Sequence, residues 1–145
     1  MFKHILVPVD GSPTSDLAID KAIALAKAFG SVITVICVID PYPFTSVGTD
    51  YVYGETQYLS AATAEANEAI KGARQTFEAA GITVKAQVVE GRAVYKGILE
   101  TAESGGADLI VIGSHGRRGI EKWVLGSVAQ RVLSHAHVPV LVVRN

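Results

Sequence analysis

Ala107-Asp108-Leu109-Ile110-Val111-Ile112-Gly113-Ser114-His115-Gly116, followed nine residues later by Gly126-Ser127, decides how this chain is organised. An apolar, β-branched run ends at Ile112 and a helix-like segment begins at Val128, so the residues between them read as an enlarged strand-to-helix loop. Loops of that kind hold anions. Glycine lets the backbone approach a ligand with no Cβ in the way, and the unpaired N–H groups at a helix start point at negative charge. Ser127 adds a hydroxyl donor where phosphate oxygens would sit.

The chain has 145 residues, 49% of them hydrophobic, which fits a single domain over residues 1–145 with a sizeable core. Thirteen basic and 14 acidic residues leave a net charge of -1, too balanced for a protein that works on nucleic-acid backbone or anionic lipid. The lone Cys37 lies in the apolar run Val32 to Ile39 and reads as a core residue. The apolar stretch after Phe2 is too short for a signal peptide, and no run approaches the ~18 residues of a membrane span. A soluble cytoplasmic protein with no membrane partner is the expectation.

Five short apolar runs alternate with helical patterns. Phe2 to Val9 reads as a strand closed by Asp10-Gly11, and Ser12-Pro13 reads as an N-cap with proline in the first turn. Leu17, Ala18, Ala22, Leu25, Ala26 and Phe29 recur at three- and four-residue steps up to Gly30, giving a first helix over Pro13 to Phe29. Val32 to Ile39 is the second strand. Asp40 to Gln57, with Pro41, Pro43, Gly48, Gly54 and the aromatics Tyr42, Phe44, Tyr51 and Tyr53, shows neither period and reads as a long mobile loop, either a lid or contact surface or simply a poorly ordered excursion. Tyr58 to Ala80 is the longest helix, Ile82 to Val89 the third strand, Ala93 to Glu103 a shorter helix, and Asp108 to Ile112 the fourth strand. Val128 to Ala136 and Pro139 to Val143 complete the chain as helix and strand.

Successive parallel strands need crossovers, so this alternation predicts an α/β domain: a five-stranded parallel sheet with helices on both faces. Right-handed winding outward from the first strand, then reversal, gives the order 3-2-1-4-5. In that order the crevice at the switch point lies between Asp10 and Gly113, about a hundred residues apart in sequence. A carboxylate there accepts hydrogen bonds from ribose hydroxyls, although an Asp-Gly pair also simply makes turns.

The common nucleotide signatures are missing. There is no G-x-x-x-x-G-K-[ST], and Gly113, Gly116 and Gly119 are spaced G-x-x-G-x-x-G, not G-x-G-x-x-G. The spacing G-x-x-G, nine residues, then G-[ST], realised as Gly113, Gly116, Gly126 and Ser127, resembles the ATP-binding signature of the universal stress protein family. The opening Ile5-Leu6-Val7-Pro8-Val9-Asp10-Gly11-Ser12 and the closing Pro139-Val140-Leu141-Val142-Val143 resemble that family's ends. The resemblance implies a five-stranded domain that binds ATP at the crevice as a homodimer joined through the last strand; Mg2+ is the expected companion of the phosphates. It also implies that Pro8, Val9 and Asp10 approach the adenosine, that the backbone of Val38 meets the adenine edge, that Gly113 lies near the ribose, and that Gly116, Gly126, Ser127 and Val128 surround the phosphates.

Read from the residues alone, each position has a second use. Ser127 with Gln130 fits a capping box. Arg117 and Arg118 offer paired donors to phosphate oxygens or stand solvated, and Trp123 anchors the loop. Ser114, His115 and Asp10 near one crevice invite a catalytic triad, but no G-x-S-x-G elbow presents the serine, and no catalytic residue is assigned. His135 and His137 complement the dipole of the last helix rather than bind metal. Val138 to Val143, apolar on both faces at a sheet edge, is covered either by a second copy or by neighbouring helices.

The expectation is an ATP-binding stress-response protein in which the nucleotide regulates conformation or partner binding. The alternatives are a slow Mg-dependent ATP hydrolase using the same cradle and a dimeric interaction module without nucleotide. The protein partners, the stress served, and any preference for AMP or a cyclic nucleotide lie beyond the sequence.

Overall fold

The computed structural model describes residues 1–40, 49–115 and 125–144, with the side chains of the second helix described from Gln57 onward. Its elements are β1 (His4–Pro8), α1 (Pro13–Phe29), β2 (Val32–Ile39), α2 (Thr49–Ala79), β3 (Val84–Glu90), α3 (Val94–Gly105), β4 (Leu109–Gly113), α4 (Ser127–His135) and β5 (Val140–Val143). The strands form one sheet in the order β3-β2-β1-β4-β5, and every neighbouring pair is parallel. This is the expected five-stranded α/β architecture.

Side chains alternate across a strand, so the odd and even residues of the central strands enter two cores. Ile5, Val7, Ile33, Val35, Leu109 and Val111 pack with α1 and with Ala66, Ala73 and Phe77 of α2. Leu6, Ile36, Ile110 and Ile112 pack on the opposite face with Ile98 and Ala102 of α3 and Val132 of α4. Because the central strands are covered on both faces, they read as nearly unbroken apolar runs.

Local signals mark where helix α1 begins and ends. The Ser12 hydroxyl accepts from the Ser15 N–H at 3.3 Å, and Pro13 opens the first turn. Gly30, at φ 68°, ends the helix in the left-handed conformation that costs glycine nothing.

Helix α2 departs from the expectation. Residues 41–48 of the expected Asp40 to Gln57 loop lie outside the described residues, but Thr49 to Gln57 are helical. Extending an existing helix fixes one residue per added hydrogen bond, so Gly54 and the tyrosines, weak helix formers, are carried by the alanine-rich turns that follow. The Tyr58 hydroxyl donates to the Asp40 carbonyl at 3.1 Å, tying α2 to the end of β2.

Candidate functional site

The carboxyl ends of β1, β2 and β4 open onto a cleft of about 330 Å³ on the α3/α4 face. The expected residues Pro8, Val9, Asp10, Val38, Gly113, Ser114, His115, Gly126, Ser127 and Val128 all line it. Gly116, Arg117, Arg118 and Trp123 lie outside the described residues. Ser15, Val94, Ile98, Ile112 and Ala129 line the same cleft and were not among the expected residues. A helical period alone shows that Val94 and Ile98 share a face, but not that the face overlooks β2.

The turn after β1 is built from its own side chains. Asp10 Oδ1 accepts from the Ser12 N–H at 2.9 Å and from the Ser15 hydroxyl at 2.9 Å, and Ser15 Oγ accepts from the Asp10 N–H at 3.0 Å. Gly11, at φ 80°, completes the reversal. Asp10 therefore forms the turn and also faces the cleft; the two readings of Asp-Gly are compatible.

The end of β4 docks on this turn. A Cβ on Gly113 would lie 2.8 Å from the carbonyl carbon and from Oγ1 of Thr14, so only glycine lets the strand pass so close to α1. The Thr14 hydroxyl donates to the His115 carbonyl. The Ser114 N–H donates to the Val143 carbonyl at 2.8 Å, and the Ser114 carbonyl accepts from the Gly126 N–H at 2.7 Å. That last bond brings the start of α4 back to the end of β4.

Ser127 is not the N-cap expected. Gly126 occupies that position without a side-chain cap, and helix α4 begins one residue earlier than expected, at Ser127. Gln130 does not complete a capping box; its amide donates to the Leu125 carbonyl at 2.9 Å. The first intrahelical bond runs from the Gln130 N–H to the Gly126 carbonyl, so the first-turn N–H groups of Ser127, Val128 and Ala129 have no intrahelical acceptor. Val128 and Ala129 line the cleft, and the exposed Ser127 stands at its rim.

Ser114, His115 and Asp10 do gather, but not as a triad. Ser114 is 0% exposed, and its hydroxyl meets His115 Nδ1 at 3.0 Å. A triad needs the serine on the nitrogen opposite to the one the carboxylate holds. Among the described residues His115 Nε2 is buried with no hydrogen-bond partner, an uncommon and costly state for a ring nitrogen. Far from the cleft, His135 Nδ1 meets the Arg131 carbonyl at 2.9 Å in the last turn of α4, the place for a dipole-complementing histidine. Among the described residues no cluster of His, Cys, Asp and Glu is placed to hold a metal ion by itself.

At the opposite end of the sheet, Asp108 accepts from the N–H groups of Lys3 at 2.9 Å and His4 at 3.1 Å. Desolvation raises its carboxyl pKa, but these N–H bonds, its own N–H and the His4 ring together outweigh that and hold it below its ordinary 3.8. The pair fastens the start of β1 to β4, away from the cleft.

Residues 1–144 match the universal stress protein family. The chain belongs to that family. Universal stress protein MJ0531 of Methanocaldococcus jannaschii is 38% identical over 146 residues, covering 100% of this chain and 84% of the relative. The solved structure of hypothetical protein MJ0577 superposes with a TM-score of 0.87 at 30% identity, covering 100% of this chain and 97% of that one. A universal stress protein in complex with cAMP is similar at 26% identity and a TM-score of 0.69, covering 99% of this chain and 97% of that one. No helix among the described residues of this universal stress protein is long and apolar enough to cross a membrane.

Proposed function

We propose that this universal stress protein binds an adenine nucleotide, ATP with Mg2+, in the cleft at the β1/β4 switch point, and that the bound nucleotide regulates its conformation or its partners. One observation carries the reading: Asp10, Gly113 to His115 and the first turn of α4 converge on one cleft that apolar side chains of β2, α3 and β4 also line. Its 330 Å³ is at the small end of the range of about 300–1,000 Å³ for ligand pockets. The cAMP complex of a family member adds support from outside the chain.

The residues present fit the parts of the ligand. Val38, Val94, Ile98 and Ile112 form an apolar surface suited to a purine. Asp10, fixed by Ser12 and Ser15, faces the position of the ribose hydroxyls. The open N–H groups of Val128 and Ala129, with the Ser127 hydroxyl, suit phosphate oxygens, and a ligand reaching His115 Nε2 relieves its lack of a partner. Mg2+ characteristically keeps waters and phosphate oxygens as ligands, so it requires no preformed protein cage. When bound, it neutralises phosphate charge.

The reading favours binding over turnover. Asp10 Oδ1 is engaged by Ser12 and Ser15, and Ser114 meets His115 on Nδ1 without a carboxylate on the other ring nitrogen, so the residues do not form the relay that activates a serine nucleophile. The homodimer belongs to the same proposal: β5 is paired on one side only, by β4, and Leu141 on it is 39% exposed.

The test is thermal unfolding with and without nucleotide. At a concentration a hundredfold above Kd a ligand adds about 2.7 kcal/mol, which raises Tm by about 5–10 °C in a chain of this size. ATP and Mg2+ are expected to produce such a shift. No shift with ATP, ADP, AMP or cAMP would overturn the proposal and leave the nucleotide-free interaction module.

A further inference from the structure

Glycine inside a helix lowers its stability relative to alanine, so one that stands there needs a reason. Gly97 is such a residue, buried in the first half of α3 between Val94 and Ile98, two of the residues that line the cleft. A Cβ there would lie 2.7 Å from Cγ1 and 3.2 Å from Cγ2 of Val38, the β2 residue on the cleft wall. The contact is tight from a second side as well, because a Cβ on Gly91 would lie 3.2 Å from the Gly97 Cα. Two glycines thus let the backbone of α3 settle on the turn before it and on β2.

Val38 cannot yield easily. Its branched side chain is stiff at χ1, and its backbone is held in the ladder to β3, opposite Val89. Any side chain at 97 therefore has to be accommodated largely by moving α3, and with it Val94 and Ile98, relative to Val38. The phosphate-side groups, Gly126 to Ala129, belong to the segment and helix after β4; α3 meets that helix through Tyr95, which packs on Arg131 and His135 in its last turns, and through the shared core around Val132.

We infer that Gly97 is a specificity-determining positioning residue: by seating α3 against Val38 it shapes the apolar end of the cleft for a flat purine base, leaving the phosphate end to α4. The inference rests on the nucleotide reading above and adds which contact selects the base. Gly97 touches no ligand itself; it acts through Val38, Val94 and Ile98.

The experiment is isothermal titration of ATP, adenosine and inorganic tripolyphosphate into the wild-type chain, Gly97→Ala, Val38→Ala and the double variant, with circular dichroism as the check on folding. Gly97→Ala is expected to weaken ATP and adenosine alike by about tenfold or more, the scale of one methylene misfit, with tripolyphosphate affinity unchanged. In the Val38→Ala background, where the colliding methyls are gone, adding Gly97→Ala is expected to change ATP affinity by less than about twofold. That comparison holds even if Gly97→Ala alone fails to fold. Equal losses for tripolyphosphate and ATP, or an undiminished loss in the Val38→Ala background, would overturn the inference. A wild-type chain that binds neither ATP nor adenosine overturns the nucleotide reading and this inference with it. Wild-type binding that Gly97→Ala leaves intact overturns this inference alone.

Discussion

A methyl group at position 113 would collide with α1 at Thr14, 2.8 Å away, and the atoms it meets are backbone as well as side chain. Gly113→Ala is therefore expected to cost about 1–3 kcal/mol of stability by overpacking, read as a lower urea midpoint at constant slope. Asp108 is a second residue whose role is structural. Its folded pKa lies below its unfolded value, so its contribution is present above the unfolded pKa and is lost as pH falls through the folded one. Asp108→Asn is expected to cost about 1 kcal/mol at neutral pH, because water reaches the pair, and to flatten the loss of stability below about pH 4 in acid titrations followed by circular dichroism.

At the scale of an element, the first turn of α4 allows a clean separation of stability from binding. Ser127 is its first helical residue, where proline is favoured, and Gly126 before it is already extended at φ -63° and ψ 156°, the conformation a following proline demands. Ser127→Pro is expected to leave Tm without ligand unchanged or slightly raised. It removes a hydroxyl and an N–H from the rim of the cleft, so ATP affinity measured by titration is expected to fall about tenfold, the equivalent of one charge-assisted hydrogen bond. Helix α2 shows where local reading stops. Tyr58 to Ala79 announce a helix by composition, but Thr49 to Gln57 owe their helical state to being attached to it. Cooperativity along a helix is not visible in a window that contains only its weak end.

At the scale of the whole molecule, the proposed homodimer puts two copies of β5 edge to edge. Leu141→Lys places a charge on that exposed edge and is expected to shift sedimentation from dimer to monomer, since a buried unpaired charge is costly where a partner strand would cover it. The alternation of apolar runs with helical patterns determined a parallel α/β sheet before any coordinates, and right-handed crossovers with one reversal of winding led to the strand order β3-β2-β1-β4-β5 and to the meeting of Asp10 and Gly113. Both follow from periodicity and chain connectivity, which are local. Only the tertiary structure decided that Val94 and Ile98 line the cleft, that Gly97 lies against Val38, and that the N-cap of α4 is Gly126 rather than Ser127. Those facts depend on how closely two elements far apart in sequence approach each other. That distance is set by side-chain packing between them and is written in neither element alone.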